Sequence, residues 1–251
     1  APAPTPAAAT TATAVRAAPA TAPHPEARPV TDVPFEVWAS RFTGALPGAL
    51  RRVPFTASVV LVTLVVGLVG RTVWTPIWQK AWFHQVAYGL PGLREGKIWT
   101  LLTGWFFYLT PGQYLSGLVM FALVVGACEM RLGSRVVAIA AVAGEIGGIL
   151  LASLLVWALS ATSWPWAVAL TQVRDVGFTT GALTVLAVTS AALRSPWRLR
   201  VRAALWFYVT VAFLFEGTLS DVAHAIAVGV GFLVGQRLFG VEPGFGPRTR
   251  R

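Results

Sequence analysis

Hydrophobic positions in this chain fall into long, nearly unbroken runs rather than the alternation of a half-buried strand or the three-to-four spacing of a surface helix. Six such runs occupy residues 54–70, 114–130, 136–161, 176–193, 203–219 and 222–238. Each approaches the roughly 20 residues that carry a helix across a bilayer. Helix is the conformation they must take, because lipid offers no partner to an open backbone. The pattern predicts an all-α, polytopic membrane protein with six transmembrane helices, its membrane domain covering 54–238. Residues 1–30 are almost wholly Ala, Pro and Thr, a composition expected to stay disordered, and no apolar stretch in them suggests a secretory signal. Residues 31–53 place Asp32 and Pro34 ahead of Phe35, Val37, Trp38 and Phe42, which predicts an amphipathic segment lying on the membrane surface. Residues 239–251 form a basic tail.

The stretch 71–113 breaks the rhythm. It carries Trp74, Trp78, Trp82, Trp99 and Trp105 and is too polar to span yet too apolar to leave the membrane. Aromatic rings with a polar edge favour the interface, so the expectation is a loop of short helices half-buried in one leaflet after the first span.

Composition agrees. The chain is 55% hydrophobic and 12% charged, with a mean hydropathy of +0.66, against about 25% charged residues in a soluble domain. The net charge of +10 would suggest nucleic acid on a soluble protein, but its distribution says otherwise. Of the 20 basic residues, 15 fall in the N-terminal segment, 131–135, 194–202 and the C-terminal segment. The alternate loops hold the other 5. This asymmetry predicts a multi-pass protein of a bacterial-type plasma membrane with both termini cytoplasmic. The Arg194 to Arg202 run and the C-terminal arginines then fix orientation and touch anionic headgroups; membrane lipids are the expected partner and nucleic acid is not. The single cysteine, Cys128, excludes an intramolecular disulfide, and His24, His84 and His224 lack metal-ligand spacing. No metal or cofactor is expected.

Several polar residues lie within the apolar runs. His224 sits two residues into the sixth run, and around it runs a ridge of small residues at four-residue intervals, Ala223, Ala227, Gly231 and Gly235, that lets a neighbouring backbone approach. In the fourth run Gly177 and Gly181 form a similar stripe beside Thr179 and Thr180, at a depth close to that of His224. A hydroxyl beside an imidazole is the minimal nucleophile–base pair; a threonine bonded to its own helix is the plainer alternative. Glu145, flanked by Gly144, Gly147 and Gly148, is expected to face the bundle interior as polar glue between helices or as a partner of His224 or the threonines.

These residues resemble the rhomboid intramembrane proteases and their relatives over roughly residues 50–240. Ile98-Trp99-Thr100-Leu101-Leu102-Thr103 looks like the segment before that family's second core helix. Glu129-Met130-Arg131-Leu132-Gly133-Ser134 matches its acidic-x-Arg-x-Gly-Ser turn, with Glu129, Arg131 and Gly133 as the structural residues. His224 followed by Gly231 and Gly235 looks like the last helix, which carries the family's base. The resemblance implies a six-helix rhomboid-like bundle with a membrane-embedded first loop.

The departures bear on activity. The family's nucleophile is a serine in Gly-x-Ser-Gly; here Thr180 occupies that place if Gly181 is the anchor, and Thr179 if Gly177 is. The oxyanion-stabilising His and Asn of the second helix are missing from Gln113-Tyr114-Leu115-Ser116-Gly117-Leu118, and the chain contains no asparagine. Loss of one oxyanion donor typically costs about 10²–10³ in rate. The resemblance therefore implies a pseudoprotease that binds transmembrane segments of client proteins. An active peptidase using Thr180 or Thr179 with His224 is the alternative. A small-solute transporter is disfavoured, because Glu145 is the one charged residue at mid-membrane depth. The oligomeric state is not legible.

Overall fold

The computed structural model describes Gly48 and residues 50–239. The tail 1–30, nearly all of the surface segment 31–53 and the basic C-terminal segment from residue 240 onward lie outside the described residues. Within the described residues the chain is helical, and extended pairing is confined to an isolated bridge between Tyr88 and Asp175. Helix α1 (Pro54–Val69) leads into a segment of short turns: a 3-10 turn Ile77–Gln79, α2 (Phe83–Val86), α3 (Leu90–Arg94), α4 (Thr100–Thr103) and a second 3-10 turn Gly104–Phe106. Then come α5 (Pro111–Leu132), α6 (Ser134–Ser160), α7 (Pro165–Leu170), α8 (Thr179–Ala191), α9 (Trp197–Phe215) and α10 (Leu219–Phe239).

Three of these, α5, α6 and α10, are long and apolar enough to cross a membrane. Helices α1 and α8 are apolar but shorter, at 16 and 13 residues. At 1.5 Å per residue α8 is about 20 Å long, well short of a hydrocarbon core of about 30 Å. Its ends must therefore find partners inside the protein.

Helix boundaries differ from the apolar runs for identifiable reasons. Helix α8 starts at Thr179 rather than at residue 176, because Gly177 takes φ +139° ahead of it, a conformation open to glycine and strained for other residues. With nothing but Thr179 Oγ1 at 4.0 Å from its missing Cβ, Gly177 shapes the chain's entry into α8 and is not part of a packing stripe. Helix α5 starts three residues before its run, where Thr110 and Gln113 form a reciprocal capping box. Helix α9 starts at Trp197 instead of residue 203 and so takes Arg198, Arg200 and Arg202 into its first turns. Long arginine stems can lie along apolar surface while the charge reaches water, so a basic run need not be a loop.

Helix α8 is the centre of the molecule, packed against α10, α6 and α5, and ten of its 13 residues are buried. Small residues make this possible. A Cβ on Gly231 would lie 2.7 Å from Ala187 Cβ and 3.0 Å from Thr184 O, and one on Gly235 would lie 2.7 Å from Val188 O. The ridge of α10 turns as it descends: Ala223 and Ala227 lie against Gly148 of α6, and Gly231 and Gly235 against α8. Outward-facing residues are large and apolar, among them Leu61, Leu123, Leu154, Phe207 and Leu233. Such a girdle is far beyond what a water-soluble surface carries. Between α5 and α6 the chain reverses at Gly133, φ +82°, where only glycine is unstrained.

Candidate functional site

Two buried carboxylates organise the helix starts. The first N–H groups of a helix have no intrahelical acceptor, and α1 has no cap from its own N-terminal side chains. Glu129 of α5 supplies one across the bundle: Oε1 accepts from Phe55 N at 2.9 Å, and Oε2 from Thr56 N at 2.8 Å and Thr56 Oγ1 at 2.6 Å. Glu145 of α6 does the same for α8, accepting from Gly181 N at 2.6 Å through Oε2 while Oε1 has no partner. Both carboxylates are buried, and each meets the positive end of a helix dipole. Glu145 thus faces the interior and is bonded to a backbone N–H.

The residues singled out as a possible dyad converge on the same end of α8 and α10 without meeting. Thr180, second residue of α8, is buried; its methyl points at α6, 2.6 Å from where a Gly148 Cβ would be, and its carbonyl accepts from Thr184 Oγ1 at 3.0 Å. Thr179 is exposed. His224 is buried on α10, its Nδ1 without a hydrogen-bond partner and 3.9 Å from Asp221 Oδ1 one turn earlier. Among the described residues no hydrogen bond joins His224 to either threonine, so neither hydroxyl is activated by it in this arrangement. Arg131 is exposed beside Gly133, and Gln113 is engaged in its capping box.

Asp175, in the loop before α8, fastens this end together. Its backbone pairs with Tyr88 of the interfacial segment at 2.9 and 2.8 Å. Its side chain accepts from Val176 N at 2.7 Å and from the hydroxyl of Ser220 at the start of α10. Burial pushes its carboxyl up to about 6, with the charges of Asp221 and Glu216 acting in the same direction and the two hydrogen bonds opposing them. A neighbouring tie joins Arg174 to Glu95, which also pairs with Lys97 at 2.7 Å.

Sequence reasoning did not anticipate an apolar concavity beside α8. A groove of about 600 Å³ runs between α5, α8 and α9, lined by Gly117, Met120 and Phe121 of α5, by Ala182 and Leu186 of α8 and by Ala204 of α9, among others. Thr179, Ser116, Tyr108 and Tyr208 supply hydroxyls to an otherwise apolar wall. Tertiary pairing of helices distant in sequence creates it, and no local motif announces that. His224 and Glu145 are not in its lining. No group of three or more His, Cys, Asp or Glu side chains able to hold a metal occurs among the described residues.

Fold and site together define a helical protein of membrane character, built on three long apolar helices around a short, internally capped one. Comparison of the chain with protein-family models, with characterised proteins and with solved structures finds no match to any of them.

Proposed function

We propose that the chain is a six-span, rhomboid-like integral membrane protein that holds the transmembrane segment of a client protein and does not cleave it. The observation that carries this reading is the 600 Å³ groove between α5, α8 and α9. Its lining is almost wholly apolar, with the small residues Ala182 and Ala204 in its wall, which suits a lipid-soluble helix better than a polar solute. Small residues let a second helix backbone come close, the usual basis of helix association in lipid. Against catalysis stand the unjoined histidine and threonines, and the absence of the family's oxyanion donors from the start of α5. A nucleophile without a hydrogen-bonded base and without oxyanion stabilisation lacks the two largest contributions to acyl transfer.

The peptidase alternative has one feature in its favour, the exposed Thr179 at the groove. Both readings are tested with the full chain in proteoliposomes. A photoreactive residue at Met120 or Ala204 should crosslink a co-reconstituted single-span client, whereas the same probe at Leu154 on the outer face of α6 should not. The client should remain intact where an active rhomboid cleaves it. Cleavage that disappears in both His224→Ala and Thr179→Val would replace this proposal with the peptidase; equal crosslinking from the groove and from Leu154 would remove the groove as a docking site.

A further inference from the structure

The end of the bundle where α8 closes and α9 opens carries Arg194, Arg198, Arg200 and Arg202, and among the described residues no carboxylate pairs with any of them. They are not equivalent. Arg200 lies over the ring of Trp197 at 5.1 Å. Arg202 is held by three helices. Its Nε donates to Ser190 Oγ of α8 at 3.3 Å, and its Cζ sits 5.1 Å from the Phe232 ring of α10. Ser190 is itself fixed by donating to Ala187 O at 2.6 Å. The guanidinium therefore has one preset orientation. One of its nitrogens is open to a ligand: Nη1 makes no hydrogen bond among the described residues, whereas Nη2 is enclosed by the protein without an acceptor.

Arg198 lies one helical turn before Arg202 on the same face, where like charges repel. A guanidinium fixed in place, with one open nitrogen and a second cation beside it, is an arrangement completed by an anion. A phosphate fits such a pair, since its oxygens can accept from one nitrogen of each arginine at once. Position favours a lipid as its source. Trp197 and Leu199 on the same turns are exposed, at 60% and 53%, and suit the boundary between acyl chains and headgroups.

We propose that Arg202 and Arg198 form a binding site for the phosphate of an anionic lipid headgroup at the junction of α8, α9 and α10. This goes beyond a diffuse attraction of basic residues for the membrane, because it assigns binding to two of the four arginines and to a rigid donor geometry. The occupant ties α9 to α8 and α10 at the end opposite Asp175, and it stands whether or not the groove holds a client.

The test uses the full chain in a non-ionic detergent, titrated with phosphatidylglycerol, with zwitterionic phosphatidylcholine or with inorganic phosphate, and read by native mass spectrometry and thermal unfolding. Phosphatidylglycerol should be retained and should raise the melting temperature, while phosphatidylcholine should do neither. Arg198→Gln and Arg202→Gln should each weaken retention about tenfold, the loss expected for one charge-assisted hydrogen bond, and Arg200→Gln should leave it unchanged. Arg198→Gln keeps the test decisive if Arg202→Gln impairs folding. Stabilisation by inorganic phosphate alone that disappears in Arg198→Gln would keep the phosphate site but overturn the lipid as its occupant. Equal retention of the two lipids, or equal loss in all three variants, would overturn the site.

Discussion

At the residue scale, the most consequential side chains are two glutamates that serve helices other than their own. Glu129 accepts three hydrogen bonds at the start of α1 while buried. Glu129→Ala leaves two enclosed N–H groups without acceptors, each costing about 1–3 kcal/mol. Unfolding of the purified variant in mixed micelles should therefore show a loss of about 3 kcal/mol, and a loss below about 0.5 kcal/mol would mean that water reaches these groups. Asp175 gives a pH dependence whose sign is fixed. Its carboxyl rises from the ordinary 3.8 to about 6 in the folded protein, so folding favours the protonated form. The stability it contributes is fully present below about 3.8 and is lost as pH rises through about 6. Thermal unfolding should show the protein more stable at pH 4 than at pH 8, by on the order of 2–3 kcal/mol from this group. Asp175→Asn should flatten that difference; an unchanged slope would assign the effect to another residue.

At the element scale, the six apolar runs were legible in the sequence because apolar length is a local property, and a helix of the described chain lies on every one of them. Their ends were less so. The start of α8 at Thr179 depends on a positive φ at Gly177, which composition does not reveal. The start of α9 depends on arginines that composition assigns to a loop. Of the candidate site, the tight ridge on α10 could be read from its four-residue spacing, but which helix it meets could not, since the ridge changes neighbour between Ala227 and Gly231. The glycines sort by what surrounds them, and that gives a sharp comparison. Gly231→Leu must displace Ala187 and the Thr184 backbone, a cost of about 1–3 kcal/mol for an overpacked site. Gly229, two residues away, has nothing within 4 Å of its missing Cβ. Gly229→Leu should be close to neutral in the same thermal assay. Equal effects would mean that helix propensity, rather than the contact between α10 and α8, governs both.

At the scale of the whole molecule, orientation is the property on which the depth of every polar residue rests. Of the 20 basic residues, 15 lie on alternate connections that share one side if all six apolar runs cross. That side is cytoplasmic if the usual excess of Lys and Arg holds. Miscounting a span would scatter the basic residues over both sides, so the regularity of the bias bears on the number of crossings as well as on their direction. Two exposed serines report the two faces: Ser163, between α6 and α7, and Ser195, between α8 and α9. Cys128 is buried, and replacing it by Ala gives a background in which each serine can be changed to Cys in turn. A membrane-impermeant maleimide added to intact cells should label Ser163→Cys and leave Ser195→Cys unmodified until the membrane is permeabilised. Labelling of Ser195→Cys alone would invert the molecule. It would also place the Asp175 end and His224 on the cytoplasmic side, and the arginine site of α9 in the outer leaflet. Labelling of both in intact cells would place the two serines on the same side, an even number of crossings apart, and α8, only 13 residues long, would then be the helix that fails to cross.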